Sequence, residues 1–125
     1  MKTNKLILSA LPHTWIFDVD GTLCIHNGYK NGGDEILNGV KEFFNQIPKD
    51  DMIILLTSRK AEEKENLVFF MKNNGLRYDH IIFDAPVGER ILINDNKPSG
   101  LKMAYAISKD RDASLDINLT LDERL

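Results

Sequence analysis

Four short apolar runs divide this chain of 125 residues, and helical patterns fill the first two gaps between them. The runs lie at residues 15–17, 52–56, 81–83 and 91–93. Continuous apolar runs of this length are typical of strands buried on both faces of a parallel sheet. Apolar side chains at helical spacing over 36–47 and roughly 60–74 provide the crossover helices that parallel strands need. The pattern predicts one α/β domain over 1–125, a three-layer sandwich with a mostly parallel sheet.

Several stretches leave their secondary structure open. Residues 5–11 fit either a short helix or a short strand, and 103–108 and 117–121 fit further edge strands. Asp34 is the predicted N-cap of the first helix. Only residues 85–90 separate the third and fourth runs, which is fewer than a parallel crossover needs. This link is therefore an extended crossover, or the two runs pair antiparallel.

The composition narrows the class of protein. A net charge of −3 argues against a general nucleic-acid binder, which would need a basic surface. Cys24 is the single cysteine, so the chain forms no internal disulfide and fits a reducing cytoplasm. The longest apolar run, 52–56, is too short to cross a membrane. We expect a cytoplasmic protein that binds a small molecule and binds neither nucleic acid nor a membrane.

Two carboxylates follow the first apolar run. Asp18 and Asp20 stand one residue apart, and Gly21 and Thr22 come directly after them. The carboxyl edge of a parallel sheet is where open α/β folds bind ligands. Two carboxylates so close together repel each other unless a cation or a shared proton relieves them. The alternative is a pair of turn-forming acids, which the position directly after a buried strand disfavours.

Polar side chains also follow the second and fourth runs. Thr57 and Ser58 end the second, and Asn94 and Asp95 end the fourth. Taken alone, the first pair fits a helix N-cap and the second a turn. Together with the paired acids after the first run, they predict a cluster of oxygen ligands at one sheet edge. Such ligands suit Mg²⁺ better than a soft metal.

These motifs resemble those of the haloacid-dehalogenase-like phosphohydrolases. Residues 18–22 read Asp-Val-Asp-Gly-Thr, Thr57 ends the second run, and Asn94-Asp95 stands for the acidic last motif. The resemblance implies a Rossmann-like sheet. The links at 23–33 and 75–80 leave no room for a cap domain. An open site of this kind suits a bulky substrate, or a small one enclosed by a second copy of the chain. Residues 88–98 also resemble a branch of small phosphatases linked to surface-polysaccharide genes.

The resemblance implies a phosphatase of a small phosphorylated metabolite such as a sugar phosphate. Asp18 would form an aspartyl-phosphate, and Asp20 would serve as general acid and base. Mg²⁺ would be held by the Asp18 carboxylate, the Asp20 carbonyl and Asp95. Thr57 and Ser58 would bind the phosphate.

The family's phosphate-binding lysine has no counterpart upstream of the last motif, so another cation must replace it. Arg90 starts the fourth run, which would place it about 16 Å from Asp95, toward the opposite sheet edge. Arg59 and Lys60 are expected to enter a helix whose charged face points to solvent. Lys97 follows Asp95 by two residues and is the predicted phosphate-binding cation. The alternative is that Lys97 is an ordinary exposed loop lysine.

Two other functions fit the same pattern. A receiver-like signalling domain would have similar length and acids, but it would need an aspartate where this chain has Thr57. A non-catalytic binding module of the same fold is disfavoured by the presence of both Asp18 and Asp20. Release of phosphate from an aryl phosphate separates the enzyme from both alternatives.

Overall fold

The computed structural model describes residues 4–125, and strands alternate with helices through its first two thirds. A 3₁₀ turn at Ala61–Glu63 leads directly into the second α-helix, and another lies at Gly28–Lys30. Within the described residues the strands and α-helices are β1 Asn4–Ser9, β2 Thr14–Phe17, α1 Val40–Gln46, β3 Met52–Leu56, α2 Lys64–Asn73, β4 His80–Ile82 and β5 Ile117–Asp122.

All strand pairs in residues 4–125 are parallel. β2, β3 and β4 form one sheet in that order, with Phe17 opposite Leu55 and Leu55 opposite Ile81. β1 and β5 form a separate pair, in which Leu6 lies opposite Leu119. The structure therefore confirms an α/β chain with parallel sheets. Since the strands run the same way, the ends of β2, β3 and β4 share one edge.

Both helices pack against one face of the three-stranded sheet. Trp15 and Phe17 of β2 point toward α1, where their rings contact Phe43 with centroids 5.4 and 6.0 Å apart. Phe17 also stacks on Phe44 at 4.8 Å. The same buried cluster takes in apolar side chains of β3 and α2, namely Ile53, Leu55, Leu67, Phe70 and Met71. This face holds the hydrophobic core.

The opposite face of the sheet is open. Ile16, Met52 and Ile82 point away from the core and are 53%, 41% and 51% exposed. Ile54 and Leu56 lie between them and are partly buried. Within residues 4–125 the second helical layer predicted for this face is not confirmed.

The prediction of a fourth strand at 91–93 is wrong. No strand is formed there, and Ile91 and Ile93 are 82% and 91% exposed. The reason lies in the short link at 85–90, because hydrogen bonds hold both of its ends at the carboxyl edge of the sheet. Ala85 donates its backbone N–H to the Thr57 carbonyl at 3.1 Å, and the guanidinium of Arg90 reaches a carboxylate at the sheet edge. The run therefore leaves the sheet instead of joining it.

The stretches whose secondary structure the sequence left undecided fold in different ways. Residues 5–11 contain β1 and 117–121 lie in β5, so both form strand, whereas 103–108 form neither strand nor helix. The first helix begins at Val40 rather than after Asp34. Its N-cap is Gly39 at φ 87°, where a Cβ would collide with the Leu115 carbonyl oxygen, so only glycine fits. No helix within 4–125 is long and apolar enough to cross a membrane.

Candidate functional site at the carboxyl edge of the sheet

The chain turns sharply where β2 ends. The Val19 carbonyl accepts the backbone N–H groups of Thr22 at 3.2 Å and Leu23 at 2.8 Å. Gly21 lies at φ 85°, and a Cβ there would stand 3.1 Å from the Arg111 side chain. The turn buries Val19 completely and leaves the acids on either side of it in different surroundings. The two carboxylates of the motif therefore do not share one environment.

Asp18 is the accessible acid. Its side chain is 42% exposed at the carboxyl end of β2. The Thr22 hydroxyl donates to one carboxylate oxygen at 2.9 Å, and the Arg90 guanidinium donates to the other at 3.2 Å. These contacts orient the carboxylate and leave it open to solvent. An oriented, accessible carboxylate beside a guanidinium can meet an anionic substrate.

Asp20 is the closed acid. Both of its oxygens accept hydrogen bonds from Arg59, each at 2.9 Å. Asp34 binds the same guanidinium through its own two oxygens, at 2.7 and 3.1 Å. The Arg59 side chain is only 1% exposed, and those of Asp20 and Asp34 are 15% and 6% exposed. The guanidinium thus neutralises two partly buried carboxylates at once, through fork-shaped hydrogen bonds.

Cys24 and Tyr29 complete the surroundings of this guanidinium. The Cys24 sulfur lies 3.6 Å from a guanidinium nitrogen, and the Tyr29 ring covers the guanidinium carbon at 4.1 Å. Burial favours a lower pKa for Arg59, but its hydrogen bonds to Asp20 and Asp34 outweigh this and raise the pKa. Burial, together with the two carboxylates, also raises the pKa of the Cys24 thiol. The thiol therefore stays protonated and is a poor nucleophile.

Thr57 and Ser58 lie at the same edge, at the end of β3. Thr57 is 1% exposed, and its hydroxyl oxygen accepts the Arg59 backbone N–H at 3.1 Å. The Thr57 backbone N–H donates to the Ile82 carbonyl at 3.0 Å, so it is already used within the fold. Ser58 donates its hydroxyl to the Pro86 carbonyl at 3.4 Å. The phosphate-binding role of both residues stays a prediction.

Asp95 and Lys97 lie apart from this cluster. Both are exposed in a stretch without helix or strand, where the Asp95 carbonyl accepts the Asn94 side-chain amide at 3.0 Å. The Lys97 backbone N–H donates to the Leu101 carbonyl at 3.0 Å, which closes a turn. The structure does not bring Asp95 into a group with Asp18, because the fourth strand that would have carried it there is not formed. Their predicted roles stay predictions.

The metal-binding chemistry of the edge differs from the prediction. Within 4–125, one group of at least three potential ligands lies close enough to hold an ion, with ligand atoms within 4.8 Å: Asp20, Cys24 and Asp34. The Arg59 guanidinium already occupies this group, and a thiol suits soft metals. This group therefore does not fit Mg²⁺. The Asp18 carboxylate and the Asp20 carbonyl, two of the three predicted ligands, do follow each other at the edge.

Four side chains at this edge were not predicted to lie there. The sequence predicted other positions for Arg59, Asp34 and Arg90, and Lys109 was not among the predicted site residues. The expectation that Arg59 faces solvent is wrong, because α2 begins only at Lys64 and Arg59 is buried in the loop between β3 and α2. The expectation that Arg90 lies toward the opposite edge is also wrong, since it contacts Asp18. The expected separation of about 16 Å between Arg90 and Asp95 assumed a straight strand over 91–93.

Lys109 is the further cation of the edge. Its ammonium group donates to the Gly21 carbonyl at 2.8 Å and to the Asp110 carbonyl at 3.0 Å. Burial lowers the pKa of Lys109, although the charges of Asp112, Asp18 and Asp110 act in the opposite direction. The signal in the sequence was the charged stretch 109–112, which follows an apolar stretch as the other polar ends do.

Comparison with known proteins assigns no family to this geometry. No known protein family, no curated protein and no solved structure matches the chain. What the residues define is an acidic sheet edge with one open carboxylate, Asp18, and one closed carboxylate, Asp20. Arg90 contacts the open carboxylate, and Lys109 lies close enough for the charge of Asp18 to affect its pKa. Any function is inferred from that arrangement.

Proposed function

We propose that this chain is a capless, haloacid-dehalogenase-like phosphatase that hydrolyses a phosphomonoester of a small metabolite, such as a sugar phosphate. The observation that carries the proposal is the environment of Asp18, which is half exposed directly after β2 and accepts hydrogen bonds from Thr22 and Arg90. The finer fold prediction, a three-layer Rossmann-like sandwich, belongs to the same proposal, as does a cytoplasmic location.

Asp18 serves as the nucleophile. One of its oxygens attacks phosphorus, the ester bond from phosphorus to the leaving oxygen breaks, and an aspartyl-phosphate remains. Water then attacks this phosphorus, which releases inorganic phosphate and restores the carboxylate. The Thr22 hydrogen bond at 2.9 Å orients the attacking group before the substrate binds.

Asp20 serves as the general acid for the leaving oxygen and then as the base that takes a proton from water. Both of its oxygens accept hydrogen bonds from Arg59, so proton transfer requires one of these bonds to open. Arg59 is therefore a positioning residue for Asp20. Tyr29, whose ring lies over the guanidinium at 4.1 Å, holds Arg59 in place while one of its hydrogen bonds to Asp20 opens.

Positive charge at the edge stabilises the phosphoryl oxygens. Arg90 contacts Asp18 directly, and Lys109 is close enough for the charge of Asp18 to affect its pKa. Cations placed beside the nucleophile are the groups that phosphoryl transfer requires. Thr57 and Ser58 line the same edge, and Lys97 remains the cation predicted from the sequence.

Mg²⁺ is the proposed cofactor. The Asp18 carboxylate and the Asp20 backbone carbonyl would hold it, both of them oxygen donors of the kind this ion prefers. Asp95 is the third ligand that the sequence predicts, and it would have to approach the edge from its exposed position to complete the set. When bound, the ion offsets the repulsion between the Asp18 carboxylate and an anionic phosphate.

A second candidate function is a phosphate-binding module without turnover. The double hydrogen bond from Arg59 to Asp20 favours it, because a carboxylate held in this way is not free to donate a proton. In that case Arg90 and Lys109 would bind a phosphate group that is never cleaved.

Phosphate release from para-nitrophenyl phosphate, measured with Mg²⁺ and with excess chelator, tests these proposals. We expect turnover by the parent protein with Mg²⁺, little with chelator, and at least about a thousandfold loss of kcat in Asp18→Asn. Asp50→Asn is the matched control, since it makes the same change at an exposed position before β3. Equal turnover by Asp18→Asn and the parent would refute the nucleophile. Phosphate binding by calorimetry without any release would favour the binding module.

A further inference from the structure

A cavity of about 310 Å³ lies between α2 and the stretch 29–34. Its volume is at the lower end of the range of pockets that hold small ligands. The side chains that α2 contributes stand at helical spacing i, i+3, i+4 and i+7, so one stripe of the helix borders the cavity. Three amides and three aromatic rings line it: Asn66, Asn73, Asn74, Phe69, Phe70 and Tyr29.

Two of these rings are accessible to a ligand. Phe69 is 67% exposed in the middle of α2, although phenyl rings are among the side chains most often buried. The Tyr29 ring covers the Arg59 guanidinium at 4.1 Å, which fixes the orientation of a ring that also borders the cavity. The faces of such rings attract the slightly positive C–H groups of a ligand. The cavity therefore suits a ligand with an apolar C–H face.

The amides present unused hydrogen-bonding groups. The Asn66 amide nitrogen donates to the Glu63 carboxylate at 2.7 Å, and that of Asn74 donates to the Phe70 carbonyl at 2.9 Å. Because a carboxylate and a carbonyl only accept, the orientation of both amides is determined and their oxygens remain available. Within residues 4–125 no protein donor reaches these two oxygens, and the Asn73 side chain has no hydrogen-bond partner. The ligand must therefore supply several donors.

The charge of the lining narrows the ligand further. Asp34 is the one charged residue of the lining in the described part of the chain, and both of its oxygens accept hydrogen bonds from Arg59, at 2.7 and 3.1 Å. An uncharged ligand is therefore favoured over a charged one. A nucleobase presents its donors along one edge, whereas a sugar ring presents hydroxyl donors around its whole rim and C–H groups on its faces.

We propose that this cavity binds a pyranose ring and is the subsite for the sugar part of the substrate. A second cavity of about 490 Å³ shares Tyr29 with it and extends to Ser58 at the carboxyl edge of the sheet. Glu63, which accepts the Asn66 amide, lines this second cavity, so the two form one groove from the edge to the sugar subsite. The role in substrate binding rests on the proposed phosphatase function, whereas binding of a neutral sugar does not.

Nuclear magnetic resonance tests the subsite directly. An isotope-labelled parent protein is titrated with three neutral probes, the methyl pyranosides of glucose, galactose and mannose, while the side-chain amide signals are followed. We expect at least one probe to shift the signals of Asn66, Asn73 and Asn74 saturably, with a dissociation constant on the order of millimolar. The Asn45 amide, exposed on α1, should not move. No shift with any of the three probes, or larger shifts of the same amides with adenosine, would overturn the proposal.

Two variants locate the binding groups. Asn73→Ala and Phe69→Ala each remove a group at an exposed position of α2, so both proteins should fold, which circular dichroism verifies. Each should weaken binding of the methyl pyranoside at least about fivefold, through a lost hydrogen bond or a lost ring contact. Asn45→Ala is the matched control, because it makes the same change on α1 and should bind as the parent does. Parent affinity in both α2 variants would overturn the assignment of this cavity.

Kinetics separates the subsite from the reaction. The substrates compared are para-nitrophenyl phosphate and the 1- and 6-phosphates of the sugar that binds best. We expect Asn73→Ala to lose at least about fivefold more in kcat/KM on a sugar phosphate than on the aryl phosphate, with the loss in KM, and Asn45→Ala to keep the parent's ratio. Equal losses on both kinds of substrate would refute the sugar subsite. A parent without turnover on any phosphate would refute the phosphatase alone, because the sugar titration decides the cavity independently.

Discussion

The two ends of the three-stranded sheet both hold carboxylates, and they use them in opposite ways. At the amino end, Asp51 accepts hydrogen bonds from the His13 backbone N–H at 3.0 Å, the His13 ring at 2.7 Å and the Trp15 indole at 2.9 Å. At the carboxyl end, Asp18 is 42% exposed and meets one hydroxyl and one guanidinium. A carboxylate whose oxygens are saturated by the fold stabilises the fold, whereas one that stays open can bind or react.

Asp20 lies between these two cases. It belongs to the carboxyl edge by position, but its environment resembles that of Asp51, because Arg59 binds both of its oxygens. The comparison shows that proximity to a site does not by itself make an acid reactive. What matters is how many of its oxygens the protein already occupies.

The largest effect is expected from removing the cation of the cluster that Arg59 forms with Asp20 and Asp34. Arg59→Met removes the charge that Asp20 and Asp34 share while keeping much of the side-chain volume. Because two partly buried carboxylates then face each other without a cation, we expect unfolding free energy to fall by about 3–5 kcal/mol. Urea denaturation measures this loss. Arg90→Met is the matched control, and its half-exposed ion pair with Asp18 should cost at most about 1 kcal/mol. Similar losses in both variants would contradict the contrast between a closed and an open acid.

A smaller effect is expected from the amino end. Asp51→Asn keeps the shape but loses the charge that accepts these hydrogen bonds, which we expect to cost about 1.5–3 kcal/mol. Burial favours a higher pKa for Asp51, but the hydrogen bonds from Trp15 and His13 outweigh it and lower the pKa.

The same shift predicts a pH dependence. Because the pKa of Asp51 is lower in the folded protein than in the unfolded chain, its stabilising contribution is complete above the unfolded value and is lost as the pH falls through the folded value. Urea denaturation of the parent and Asp51→Asn between neutral and acidic pH measures it. The difference between the two proteins should shrink as the pH falls, and a constant difference would exclude Asp51 as the source.

The smallest effect is expected on kcat/KM, and it shows whether Arg90 or Lys97 is the cation that binds the phosphoryl group at Asp18. If Arg90 serves the phosphoryl group, Arg90→Ala loses at least about tenfold in kcat/KM, or about 1.4 kcal/mol. Lys97→Ala should lose as much only if the prediction made from the sequence is right, since Lys97 lies in an exposed turn closed by its hydrogen bond to Leu101. Steady-state kinetics on para-nitrophenyl phosphate compares the two. A larger loss in Lys97→Ala would show that the exposed turn that carries Lys97 moves onto the edge when substrate binds.

The local elements were predictable because their signals are local. The apolar run before Asp18 predicted β2, and the apolar run ending before Thr57 predicted β3. Helical spacing over roughly 60–74 predicted α2, whose apolar Leu67, Phe70 and Met71 are buried. The same reasoning failed at 91–93, where an apolar run lacks a neighbouring strand and remains exposed. A strand forms only when a neighbouring strand pairs with it. The apolar pattern of a run does not show whether the fold brings such a neighbour close enough.

By itself, the sequence determined that two acids follow an apolar strand at the carboxyl edge of a parallel sheet. It did so through the spacing of apolar side chains, which depends only on the local geometry of strands and helices. Only the tertiary structure decided which acid is open. Arg59 reaches Asp20 across 39 positions of the chain and Asp34 across 25, and Arg90 reaches Asp18 across 72. Charge pairing of this kind depends on where the fold places distant residues, because Coulomb attraction and hydrogen bonding act over distance in space and not along the sequence.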